Sequence, residues 1–133
     1  MARPLAPLKR LLLLRERIEQ GQQSALRSAE LALRREQEAF ASFDEVALGQ
    51  GRTAAEWHTW QLARDASWQC ARRLEGDVAE KMAAWKLAKR EHRQAEQLVE
   101  RRRQEHEQER AHKELRQQED WLRVRDAHEK EES

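Results

Sequence analysis

One cysteine, two prolines, four glycines and no tyrosine occur among 133 residues, and each shortage excludes something. The lone Cys70 cannot close an internal disulfide, so a reducing compartment is expected. Six Pro and Gly residues in all leave little to interrupt a helix, and 5% aromatics supply too few bulky groups for a globular core of this size. Charged residues reach 38%, yet the net charge is only +1, so no overall field draws the chain to nucleic acid or a membrane. No stretch approaches the roughly 20 apolar residues of a membrane span. The run "LLLL" at 11–14 follows Lys9 and Arg10 but is too short for a signal sequence and passes straight into "RERIE". A soluble, cytoplasmic chain of a single domain is expected.

What remains is Ala, Leu, Glu, Arg and Gln, the composition of long helices or coiled coils. Pro4 and Pro7 suit a helix start, because proline is tolerated in a first turn and not in an interior. The first helix should therefore run from about residue 5 to 48. "GQGR", Gly49 to Arg52, breaks it, with Gly49 placed as the residue after the helix end. "TAAE", Thr53 to Glu56, is a capping box that opens a second helix over about 54–128.

Apolar spacing agrees. A stripe of steps of three and four runs Leu11, Leu14, Ile18, Gln22, Leu26, Ala29, Leu33, Glu36, Phe40, Phe43. A second runs Trp57, Trp60, Arg64, Trp68 (or Ser67), Ala71, Leu74, Val78, Met82, Trp85, Ala88. A doubled step of four occurs in both, at 18–22–26 and at 74–78–82, the mark of a stutter. The two stripes mirror one another about "GQGR", which predicts an all-α fold, an antiparallel coiled-coil hairpin of two long helices. In that register Phe43 faces Trp57, Phe40 faces Trp60, Glu36 faces Arg64, Leu26 faces Leu74, Ile18 faces Met82, His92 faces Leu8 and Leu5 faces Ala95. Pairing would end near residue 97. The second helix alone would be on the order of 100 Å long.

Three of the five tryptophans fall within "EWHTWQLARDASW", residues 56–68. Trp57, Trp60 and Trp68 share one side of a helix. They would close the turn end of the hairpin with Phe40 and Phe43. A two-helix seam cannot enclose three indoles, so part of their surface should stay open for docking. No catalytic constellation is visible: there is no Gly-rich phosphate loop, and Cys70 lacks a nucleophile's context. His58, His92, His106, His112 and His128 are never four apart, so no helical zinc pair forms. No cofactor or metal is expected.

The ends differ in charge. Arg3, Lys9, Arg10, Arg15 and Arg17 against Glu16 give a local +4 over residues 1–18, and Asp126, Glu129, Glu131 and Glu132 against Lys130 give −3 over 126–133. The densest basic spot is "ERRRQ", with Arg101, Arg102 and Arg103. Glu100, Glu105, Glu107 and Glu109 surround it, which favours a solvated helix, then an acidic protein partner, over nucleic acid. The basic, Leu-rich start suits a protein contact better than a membrane. Leu115, Trp121, Leu122 and Val124 form an apolar patch beyond the paired region, which points to a partner or to packing against the first residues.

A first helix of about 45 residues, a Gly-containing turn, "EWHTWQ", then "AAWKLAK" and "EQLVERRRQEHEQERAHKE" resemble the FliJ/YscO family of type III secretion stalk proteins. The resemblance covers nearly the whole chain and rests on layout and on Trp57, Trp60, Gln61 and Trp85. The ending "LRQQEDWLRV" departs from the acidic ending usual in flagellar members, which tilts the resemblance toward the virulence branch. It implies a non-enzymatic hairpin similar to the central stalk of rotary ATPases. The end with both termini would enter the hexameric export ATPase, and the other end would reach the ring of the export gate. Export chaperones are further partners, and the membrane is met only indirectly, at the inner face of the apparatus. By position, the gate-facing surface would be Phe40, Phe43, Trp57, Trp60, Arg64 and Trp68. The ATPase-facing end would be Arg3, Lys9, Arg10, Arg101, Arg102 and Arg103.

A two-helix seam has no second layer to absorb a buried charge. Leu74→Asp is therefore expected to abolish most helical signal at room temperature, measured by circular dichroism; unchanged melting would refute this seam.

Overall fold

The structure, a computed structural model, describes residues 3–47 and 53–132, with side chains for all of these except 46 and 47. Two helices account for nearly all of it: α1, Ala6–Ala47, and α2, Ala54–Glu132. They pack against each other as an all-α helical hairpin, and no strand occurs among the described residues. The expected turn at 49–52, with Gly49, lies outside the described residues. The amide of Lys9 donates to the carbonyl of Leu5 at 3.0 Å, closing the first turn of α1 just after Pro4. At the start of α2, the Glu56 amide donates to the Thr53 hydroxyl at 3.3 Å, one arm of the capping box. The far end of α2 runs four residues past the expected 128, to Glu132. Contacts Arg125–Glu129 (3.5 Å) and His128–Glu132 (3.6 Å), each one turn apart, lie along this stretch.

The chain divides into two units, Arg15–Glu91 and Met1–Leu14 with His92–Ser133. In the Arg15–Glu91 unit, the covered positions of α1 include Arg15, Glu19, Gln22, Leu26, Ala29, Leu33, Glu36, Phe40 and Phe43. Those of α2 include Trp60, Arg64, Ser67, Ala71, Leu74, Val78, Lys81, Trp85 and Ala88, with Met82 half-buried beside Lys81. Steps of four and three alternate without a break in both lists. Neither expected stutter is present, and each helix keeps a continuous seven-residue repeat.

This corrects the seam at two residues. Ile18 is 37% exposed and Leu14, in the other unit, 54% exposed, whereas Leu26 is 5% exposed. Arg15 and Glu19 take the places nearer the interface. Arg15 donates to Glu91 across the helices, so the seam keeps its period with an ion pair where a leucine would have required a stutter. Long stems let such residues cover apolar surface while their heads stay at the edge. The second alternative for α2 resolves the same way: Ser67 is 8% exposed and lies on the seam, and Trp68 does not.

The pairing register is also one helical turn from the expected one. Glu36 meets Ser67 rather than Arg64, Phe40 meets Arg64 rather than Trp60, and Phe43 meets Trp60 rather than Trp57. The expected register maximised ring-on-ring contact. The observed one gives Glu36 a hydroxyl donor and Arg64 an aromatic face. Of the seam residues read from sequence, Ala71 is buried with Leu26, and Leu11, Leu33, Leu74, Val78, Met82 and Trp85 are half-buried.

In the second unit, Ala95 and Val99 are buried, and Leu5, Leu8, Leu11, Leu12, His92, Arg102 and His106 are partly covered. Pairing therefore continues past residue 97. His106 Nε2 lies 2.9 Å from the carbonyl oxygen of Arg3. From residue 107 to 132 every described position is exposed.

Leu26→Ala should destabilise the protein by roughly 2–3 kcal/mol, because a buried leucine is replaced where no second layer can collapse onto the gap. Leu14→Ala should change stability by less than about 0.5 kcal/mol. Urea denaturation followed at 222 nm by circular dichroism measures both, and equal losses would contradict the corrected seam.

Candidate functional site

Aromatic and charged side chains gather where the end of α1 meets the start of α2. Trp57 and Trp60 lie one turn apart, with ring centres 5.3 Å apart and planes at 81°, the edge-to-face arrangement. Trp60 is half-buried and its indole N–H donates to the carbonyl oxygen of Phe43 at 3.2 Å. That carbonyl lies in the closing turns of α1, so the bond ties the Trp60 ring to the end of the first helix. The Arg64 guanidinium sits 4.9 Å from the Phe40 ring centre and 5.7 Å from that of Trp60, and its Nε is 3.4 Å from Asp44. One cation is thus held by two aromatic faces and a carboxylate.

Further along, the Ser67 hydroxyl donates to Glu36 at 2.7 Å. This bond places a carboxylate inside a seam that is otherwise apolar at Ala29 and Ala71. Trp57 remains 38% exposed and Trp68 47% exposed, the latter with Arg72 stacked 4.7 Å from its ring centre. Beside them Ala55, Glu56, Thr59, Trp60 and Ala63 line a shallow open concavity. The site is therefore a clamp and a surface at once: Phe40, Phe43, Trp60 and Arg64 hold the helices, and Trp57 and Trp68 face outward. Asp44, Ser67 and Glu36 complete the clamp. Sequence reading missed this role for Ser67 because it followed the larger neighbour, Trp68. The seven-residue step from Trp60 through Ser67 to Leu74 is the signal that identifies it.

The second candidate surface belongs to the unit that carries both termini. Arg3, Lys9, Arg10, Arg101 and Arg103 are exposed, whereas Arg102 is partly covered and pairs with Glu105 at 2.9 Å. Arg103 lies 3.9 Å from Glu100. Of the three adjacent arginines, Arg101 and Arg103 thus present most of their charge to solvent. Among the described residues, no group of three or more His, Cys, Asp or Glu side chains converges as a metal site would require. No helix among the described residues is long and apolar enough to cross a membrane.

Set against protein families, curated proteins and solved structures, the chain matches none.

Trp60→Phe keeps the ring but removes the N–H donor to the Phe43 carbonyl, and should cost about 1 kcal/mol of stability. Trp68→Phe should stay within about 0.5 kcal/mol. Midpoints of urea unfolding test the pair, and a larger loss at Trp68 would overturn the division between clamp and surface.

Proposed function

We propose that this chain is a non-enzymatic central stalk component of a type III secretion apparatus, one that couples the hexameric export ATPase to the export gate. The observation that carries the reading is the inequality of the two helices. Covered positions recur on α1 from Leu8 to Phe43, where it packs on α2, whereas residues 107–132 of α2 are exposed throughout. A hairpin that needed only its own stability would have no use for that extension. One that engages a ring through charged contacts would. The exposed Arg3, Lys9, Arg10, Arg101 and Arg103 supply positive charge at the end bearing the termini, which the reading assigns to the ATPase, with Arg102 alongside. Trp57 and Trp68, with Phe40, Phe43, Trp60 and Arg64 behind them, supply the surface assigned to the gate. The resemblance to the FliJ/YscO layout supports the same assignment, with a cytoplasmic location at the inner face of the apparatus.

A second reading, a structural or adaptor coiled coil that serves as a spacer or escorts export chaperones, is favoured by one observation. Leu31, Leu62 and Leu87 are exposed on the outer faces of the helices, where a stalk turning inside a ring gains nothing from them. The two readings part on the ATPase.

Added to its cognate secretion ATPase, the full chain should raise hydrolysis severalfold and promote hexamers seen by electron microscopy. Arg101→Glu with Arg103→Glu should remove the stimulation while leaving helix content intact. Absence of both stimulation and co-purification with the ATPase would leave the adaptor reading in its place.

A further inference from the structure

Past His106 the covered side of α2 runs out, but a second regular pattern begins on its other side. Gln104, Gln108, Ala111, Leu115, Gln118 and Leu122 recur in alternating steps of four and three, and none is charged. All six are exposed. Such steps keep side chains on one face, at the spacing of a coiled-coil seam. Arg101 and Arg125 occupy the next positions at either end and close the stripe. It stands roughly 150° around α2 from the covered positions Ala95, Val99, Arg102 and His106. A helix laid on the stripe would therefore leave α1 in place.

Charge around the stripe is sorted by sign. The positions that border a seam of this phase are Glu105, His112, Glu119 and Asp126 on one side and Glu107, Glu114, Trp121 and His128 on the other. No Lys or Arg stands among them. Arg102, Arg103, Arg110, Lys113, Arg116 and Arg123 all fall on the remaining positions, toward the opposite side of the helix. Arg102 pairs with Glu105 at 2.9 Å, and Arg125 lies 5.7 Å from the Trp121 ring centre at the closing end. Val124 stands off the stripe, whereas Trp121 at its border widens the apolar surface of Leu115 and Leu122.

From this sorting we propose that residues 104–122 dock one amphipathic helix of a different protein, whose own apolar stripe is bordered by Lys and Arg. A second copy of this chain would set Glu114 against Glu119 in a parallel pair, and acid against acid in an antiparallel one, so the stripe selects against itself. Nucleic acid and anionic lipid meet the same acidic border and are repelled. The contact is about 27 Å long at 1.5 Å per residue. Because Gln104, Gln108 and Gln118 hold half of its positions, bordering charges contribute alongside Leu115 and Leu122, and salt should weaken it. The proposal goes beyond the stalk reading and does not rest on it, since no ATPase enters its test.

The probe is a synthetic four-heptad helix with Leu at its seam positions and Lys at the bordering ones, and its counterpart carries Glu in place of Lys. Binding to the full chain is read by isothermal titration calorimetry, with circular dichroism to show that each variant keeps its helices. The Lys-bordered peptide should bind one to one, roughly tenfold or more tighter than the Glu-bordered one, and lose that preference as salt is raised. Glu114→Lys with Glu119→Lys should weaken it roughly tenfold and turn the preference toward the Glu-bordered peptide. Glu109→Lys with Asp120→Lys makes the same change in net charge away from the stripe and should alter binding less than about twofold. Leu115→Ser with Leu122→Ser should abolish binding without loss of helix. Equal weakening by the two charge swaps would reduce the effect to overall charge and overturn the proposal. No binding of the Lys-bordered peptide, equal binding of both peptides, or a wild-type chain that pairs with itself through Leu115 and Leu122 would overturn it too.

Discussion

An interface between only two helices has one seam and nothing behind it, so the period of that seam constrains everything else. In this protein the period is seven residues, and it holds even where it brings polar residues inward. Polar groups occupy the seam or its edge at Arg15 and Glu91, at Glu36 and Ser67, and at Arg64 between Phe40 and Trp60, among other positions, and each of these has a partner on the opposite helix. A wrong register would strand these groups without partners. Leucines and alanines tolerate a slip of one turn far better. Polar pairs thus choose among registers that the apolar residues leave nearly equal, at some cost in stability.

Much of the fold was legible in the sequence. Pro4 and Pro7 mark the start of α1, and Thr53 with Glu56 marks the start of α2, because helix ends depend on local chemistry that neighbouring residues state directly. The seam was legible only in part. Choosing the largest apolar side chain in each turn leads through Leu14, Ile18 and Trp68, and such a path needs stutters. The seam instead continues its seven-residue repeat through Arg15, Glu19 and Ser67. Where the end of α1 meets the start of α2, Phe40, Phe43, Trp57 and Trp60 gather as expected, but Trp68 stands apart and the pairing differs. Cation-to-ring contacts, which set it, leave no mark in a pattern of apolar residues.

The same logic separates the two candidate surfaces. At the tip, side chains that clamp the helices and side chains that face solvent alternate along one helix, so Trp60 and Trp68 serve different ends eight residues apart. In the unit with the termini, the seam simply stops at His106, and charged residues take over its positions. Trp85 shows what the seam can bear in between: its indole N–H is covered without a hydrogen-bond partner, while Lys89 lies 5.0 Å from its ring centre. A cation over the ring face partly offsets the missing bond to the edge.

Four of the six buried hydrophobic residues among those described are alanines, and no side chain among them is wholly enclosed. Little apolar area therefore leaves water when this chain folds, and the increase in heat capacity on melting must be correspondingly small. A protein of this kind has a shallow stability curve. Its stability therefore changes little with temperature, toward the cold as toward the warm.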